Sequence, residues 1–275
     1  RLRGRVRYRL VSIVHHLRCS ELRAPGKNAL YRAIEARYLS SVDGFVFNSQ
    51  TTRAAVENLV TSVKDSIIAY PAGDQLDPDI SPERIEDRCR APGPIRVLFV
   101  GSLIRRKELH TLISAIALLP PDLCRLDVVG GLDADTAYVR EIRAMIEQEK
   151  VSGHVRLLGP VDQAELYGLL ARSHVMAVPS SYEGFGIVYV EGMGFGLPAI
   201  ASTAGAAHEI ITHNLNGFLV NPGDPEQLSS CIRELSVDRD RLTRMSLAAL
   251  DRYRAHPTWD DGGEIIRRFL KGMAP

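Results

Sequence analysis

The stretch HVMAVPSSYEGFGIVYVEGMGFGLPAIAS, residues 174–202, decides the fold. An apolar run (174–180) gives way to a turn carrying Gly184 and Gly186, a helical stretch over 187–195, and a second apolar run (198–202). Two short runs that are apolar throughout, joined by a helix, form a β-α-β unit, and such strands are covered on both faces of a parallel sheet. Gly184 and Gly186 let the backbone come close to a ligand, and free N–H groups at the helix start near Ile187 form an anion site. Glu183 lies in the turn and Glu191 one turn into the helix, so the seven residues between them need not place both on one helical face.

The same alternation extends in both directions. Upstream run IRVLFVG (95–101), a helix over 107–119, RLDVVGG (125–131), a helix over 135–150, HVRLLG (154–159) and a helix over 162–172. Downstream come a short helix near 206–211, GFLV (217–220) and helices over 224–236, 238–255 and 258–272, the last opening at Trp259. A separate, shorter series occupies the first residues: strand 10–16, helix 29–42, strand 43–49, a helix from Thr51 to about Val60 capped by Ser49, and strand 66–73. The stretch DQLDPDISPERIEDRCRAPGP (74–94) shows no strong period and reads as a domain junction. The class is α/β, doubly wound.

Composition narrows the function classes. Lys plus Arg total 34 against 33 Asp plus Glu, a balance that lacks the chain-wide positive field of a nucleic-acid binder. Arginines at 1, 3, 5, 7 and 9 read as a solvated edge or as a patch for anionic lipid or phosphate. Cys19, Cys89, Cys124 and Cys231 have neither zinc nor disulfide spacing, which fits a reducing compartment. No apolar stretch approaches the roughly eighteen residues of a membrane span, so a cytoplasmic location is expected.

In doubly wound sheets ligands bind beyond the carboxyl ends of the strands, so the loops there carry the chemistry. After the strand at 95–101, Arg105, Arg106 and Lys107 cluster just before or at a helix start, where cations oppose the helix dipole and an anion would relieve the cost. A solvated basic turn is the other reading. Glu183 and Glu191 can accept hydrogen bonds from vicinal sugar hydroxyls, or Glu191 can simply favour the amino-terminal half of its helix and Glu183 the surface. The loop with Gly205 and Glu209 reads only as a tight turn and a helix. His15 and His16 end a strand; neighbours there point to opposite faces, so no metal site is supported.

Taken together, VGSLIRRKE, EGFGIVYVE, GAAHEII and NGFLVNPGDPEQL resemble, in order and spacing, the motifs of glycosyltransferase family 4, retaining enzymes of the GT-B fold that use a nucleotide-diphosphate sugar. The likeness covers nearly all of 95–236 and, more loosely, 10–73. It implies two Rossmann-like domains facing across a cleft: 1–73 as the carboxyl part of the acceptor-side domain, 74–94 as linker, 95–257 as the donor domain, and 258–275 as a helix packing back toward the first. It also implies roles: Lys107, helped by Arg105 or Arg106, holds the donor diphosphate at the Gly101–Ser102 turn. Glu183 and the backbone of Phe185, Gly186 and Ile187 meet the sugar and distal phosphate, Glu191 the ribose, and Val161 in the loop 159–161 the base. His15 matches the active-site histidine, with His16 as the less close match; His15, Lys107 and Glu183 form the catalytic set.

The implied reaction is front-face attack by an acceptor hydroxyl on an oxocarbenium-like centre, with the departing diphosphate as base and neither metal nor cofactor. Implied partners are a nucleotide sugar and a glycan or lipid-linked acceptor, with no nucleic acid, at the inner face of a membrane at most. Ser102 departs from the family, which usually carries arginine there. The first series also has room for only about three strands, so the expectation is that the start of that domain lies upstream of Arg1, and a complete acceptor site with it. Two other readings are a nucleotide-sugar binding fragment without activity and a GT-B sugar-nucleotide epimerase.

Overall fold

The computed structural model describes residues 7–21, 25–63 and 65–273, so Arg1, Arg3 and Arg5 of the arginine-rich start lie outside the described residues. The first sheet holds β1 (Val11–Val14), β2 (Gly44–Phe47) and β3 (Asp65–Ile68), parallel and in that spatial order. Helices α1 (Pro25–Leu39) and α2 (Gln50–Glu57) connect them. Its core is small, built on Val14, Leu39, Phe45, Phe47 and Val56. The Ser49 hydroxyl caps α2, accepting the Thr52 N–H at 2.9 Å, as the sequence led us to expect.

The second sheet has six parallel strands: β4 (Ile95–Val100), β5 (Cys124–Val129), β6 (Val155–Gly159), β7 (Val175–Val178), β8 (Ala199–Ser202) and β9 (Gly217–Val220). Their spatial order is β6-β5-β4-β7-β8-β9. Helices α4 (Leu109–Ala117), α5 (Thr136–Gln148), α6 (Gln163–Arg172), α7 (Ile187–Gly194) and α8 (Pro225–Val237) cover it, and β7 and β8 are buried at every position. Strand order reverses between β4 and β7, so the loops leaving these two neighbours diverge and open a crevice at their carboxyl ends. Those are the loops with Arg105–Lys107 and Glu183–Gly186.

Three sequence expectations are corrected. The 74–94 stretch is not without regular structure: α3 (Pro82–Arg90) sits within it, capped by Ser81 with proline in its first turn, and inserts Ile85 and Cys89 into the second core. Its signal was the Ser-Pro start and the apolar pair four residues apart, muted by the charges between them. The helix expected from 107 starts at Leu109 instead: Arg105–Lys107 form a 3-10 turn just before it, and Glu108 between them takes a left-handed conformation (φ 55°). The helix expected at 206–211 is a 3-10 turn, Ala207–Glu209.

After α9 (Arg239–Arg254), α10 (Trp259–Gly272) opens with a capping box of Thr258 and Asp261. It leads the chain back to the first sheet: the Trp259 N–H donates to Asp74 at 3.2 Å, and Met273 packs so closely on Gly44 of β2 that an added Cβ would stand 2.7 Å from its Cε.

Candidate active site

Because β4 and β7 are neighbours, Lys107 and Glu183 meet although 76 residues separate them. Lys107 Nζ donates to Glu183 Oε2 at 2.6 Å, Ser180 Oγ donates to the same oxygen at 3.2 Å, and Arg106 Nη1 stands 3.6 Å away. Arg106 also donates to the Tyr182 carbonyl at 2.7 Å, while its own carbonyl accepts the Ser181 N–H at 2.8 Å, which straps the two loops together. Burial pushes the Glu183 carboxyl up, but the Lys107 ammonium, its hydrogen bond, Arg106 and Ser180 outweigh that and hold it below the usual carboxylate range.

A cavity of about 380 Å³ opens here, lined among others by His15, Arg106, Glu183, Phe185, Gly186 and Ile187. Gly186 caps α7 with φ 99°, and a Cβ there would lie 2.4 Å from the Tyr189 ring, so only glycine fits. A Cβ on Gly184 would stand 2.4 Å from the His15 carbonyl oxygen; the end of β1 therefore lies directly on this turn. The Ser49 hydroxyl donates to the Gly184 carbonyl at 2.8 Å, so the cavity is walled by both sheets.

The other expected residues divide. Lys107 stands behind Glu183, its stem against Gly101. Ser102 is exposed beside it, and Val161 is half-buried against the core. Glu191, half-buried, is outside the cavity lining, and burial pushes its carboxyl up. Arg105 turns away: it pairs with Glu141 on α5, lies 5.4 Å over the Tyr138 ring, and lines a different cavity. His15 and His16 both line the cavity, and His16 is also paired with Glu21 at 2.8 Å and packs 5.1 Å from the Tyr182 ring.

Sequence reasoning missed Asn48 and Trp259 on the cavity wall, and the task of Glu209. The Glu209 carboxylate accepts the Gln50 and Thr51 N–H groups (2.9 and 2.8 Å), the Thr51 hydroxyl (2.6 Å) and the Tyr70 hydroxyl (3.1 Å). The second lobe thereby caps a helix of the first. Nothing local in GAAHEII announces a partner more than a hundred residues away. Among the described residues no group of three or more His, Cys, Asp or Glu comes together as a metal would require.

Two parallel α/β sheets facing across a cleft, with the Arg105–Lys107 and Glu183–Gly186 loops at the switch point of the second, have the GT-B architecture of sugar-transferring proteins. The chain belongs to the glycosyl transferases group 1 family, whose model matches residues 82–252. It is 28% identical over 254 residues to the GDP-mannose-dependent alpha-(1-6)-phosphatidylinositol monomannoside mannosyltransferase of Mycobacterium tuberculosis, covering 88% of this chain and 65% of that one. It is 28% identical over 241 residues to the D-inositol 3-phosphate glycosyltransferase of Xylanimonas cellulosilytica, covering 84% and 57%. The chain thus spans less than two thirds of the length of these relatives.

Solved structures agree on the fold. Sucrose-phosphate synthase from Thermosynechococcus elongatus superposes with a TM-score of 0.85 at 24% identity, covering 98% of this chain and 70% of that one. HepE of Anabaena in complex with UDP and glucose gives 0.80 at 23%, covering 95% and 71%.

Proposed function

We propose that this chain carries the donor site of a retaining glycosyltransferase that moves a sugar from a nucleotide-diphosphate sugar to a hydroxyl of a glycan or lipid-linked acceptor. The observation that carries the reading is the grouping of Lys107 and Arg106 around Glu183 at the mouth of α7, in a cavity shared by both lobes. Two cations against one carboxylate leave a positive excess, and the first N–H groups of α7 add to it. A diphosphate leaving group gathers negative charge as its bond to the sugar breaks, and fixed cations near that position stabilise it.

The low pKa of Glu183 makes it a poor base and a poor proton donor, so its role is to accept hydrogen bonds from sugar hydroxyls and to hold Lys107 in place. Of the two arginines considered for the clamp, Arg106 is the one aimed into the cavity. His15 stands across from Glu183, where an acceptor or the sugar itself would approach. Glu191 is assigned to the ribose, and the 159–161 loop to the base. The work of charge stabilisation falls to Arg106, Lys107 and α7, without a metal. A cytoplasmic setting fits four free cysteines, and no helix among the described residues is long and apolar enough to cross a membrane.

Calorimetric titration of the chain with nucleoside diphosphates tests the site. Binding is expected, and Lys107→Ala should weaken it by roughly 10- to 100-fold, the value of a charge-assisted hydrogen bond. Absence of binding by the wild-type chain would overturn the assignment. Transfer to acceptor is scored on the full-length protein with a panel of nucleotide sugars; an epimerase would leave no acceptor-linked sugar.

A further inference from the structure

At the opposite end of the second sheet, where β4, β5 and β6 begin, a second basic site stands apart from the cleft. Arg96 and Arg125 are direct register partners on adjacent strands, and Asp127 and Arg156 are partners on the next pair. Like charges directly opposite on neighbouring strands are destabilising, so the Arg96–Arg125 pairing costs rather than contributes. Arg172, at the end of α6, closes the group. These residues, with His154, line a cavity of about 300 Å³.

The charges there do not cancel. Asp127, 4% exposed, is the one carboxylate in the lining, and Arg156 grips it with two hydrogen bonds of 2.7 Å. Arg172 reaches the same carboxylate only at 3.7 Å. Arg96 and Arg125 spend their guanidinium groups on neutral acceptors: Arg96 on the Arg172 carbonyl at 3.0 Å, Arg125 on the Gly153 carbonyl and on His154 Nδ1 at 2.7 Å. That contact leaves the His154 proton on Nε2, a further donor at the rim.

We propose that this cavity is a second anion site, taking a phosphate group. Guanidinium forks arriving from three strands and a helix match the several oxygens of a tetrahedral dianion, and among the described residues Asp127 is the one carboxylate lining that place. A bound phosphate offsets the Arg96–Arg125 repulsion. The site is separated from the cleft by the length of β4, roughly 15–20 Å at the usual rise per residue, so the two can be filled together. The phosphate comes from a small soluble phosphate compound or from a phospholipid headgroup.

The test uses the 275-residue chain with Lys107→Ala, which weakens binding in the cleft, and the same chain with Arg96→Gln and Arg125→Gln added, so that the arginine-dependent part of the binding is read by difference. Calorimetry with inorganic pyrophosphate and flotation with phosphatidylglycerol/phosphatidylcholine vesicles provide the two arms. Saturable pyrophosphate binding that falls at least tenfold in the arginine variant assigns a soluble ligand. Vesicle binding that depends on the same arginines, without pyrophosphate binding, assigns a headgroup. No binding in either arm, or binding indifferent to the arginines, overturns the proposal. The arginine variant should also melt at or above its parent in phosphate-free buffer; a lower melting temperature would show that these arginines serve the fold and would overturn it too.

Discussion

Glu183 holds two cations in place, and that makes its charge worth measuring. Glu183→Gln keeps the shape but leaves Lys107 and Arg106 without their carboxylate in a site where the Glu183 side chain is only 14% exposed. Breaking a pair of this kind by removing one partner costs about 3–5 kcal/mol, read as a lower midpoint in urea unfolding. A nucleoside diphosphate supplies replacement charge, so it should raise the melting temperature more in the variant than in the wild type. An equal rise in both would count against the diphosphate site. A second titratable residue belongs to stability alone. His174 is buried between strands: its Nδ1 accepts the Arg96 N–H at 2.9 Å and its Nε2 donates to the Arg88 carbonyl at 3.1 Å, so it must be neutral. Burial first, then the Arg88 guanidinium, lower its pKa from 6.5 to about 4. The unfolded chain therefore takes up a proton that the folded one refuses. Stability is fully present above pH 6.5 and declines as pH falls toward 4, by on the order of 3 kcal/mol. Melting curves across that interval should show the decline, and His174→Gln should flatten it.

At the scale of elements, the cap of α2 is the feature with a consequence for the cleft. Its first turn receives Ser49 from its own chain segment and Glu209 from the other lobe, and Ser49 also holds the Gly184 carbonyl beside the Glu183 turn. Glu209→Ala removes a charged cap, which costs about 1–2 kcal/mol. Amide exchange at Gln50 and Thr51 should accelerate by roughly the corresponding factor of 5–30, while amides of β7 and β8 keep their protection. Unchanged exchange at Gln50 would show that the contact holds nothing. Local pattern sufficed for most elements here: the apolar runs at 95–101, 125–131 and 174–180 became β4, β5 and β7, and Asp135, Asp162 and Asp224 each cap the helix that follows. It failed at α3, whose charged surface hides two core residues, and it set the start of α4 two residues early, because a left-handed Glu108 splits the basic turn from the helix.

For the whole molecule, the question is what keeps the two lobes together. The first sheet, with three strands and a small core, leans on the second through Glu209, the Ser49–Gly184 contact, and an aromatic group in which Tyr70 lies 5.7 Å from Phe185 and Phe185 lies 5.8 Å from His256. His256 also donates to the Pro71 carbonyl at 2.9 Å, and α10 then carries Met273 to Gly44. Ending the chain after His256 should therefore loosen the first lobe alone. Limited proteolysis is expected to cut within residues 25–63 of the truncated chain while 95–254 stays resistant; equal resistance in both would show that α10 is dispensable. The doubly wound second sheet was legible in the sequence, because burial on both faces leaves a continuous apolar signature, and so was the glycine-bearing turn before α7, because its left-handed Gly186 admits no side chain. The crossovers of the fold set Arg106 rather than Arg105 toward the cleft, Glu209 on a helix of the other lobe, and four arginines around the cavity that holds Asp127. Such contacts join residues tens to more than a hundred positions apart, and a local pattern records that a face is buried or charged without recording what the crossovers bring against it.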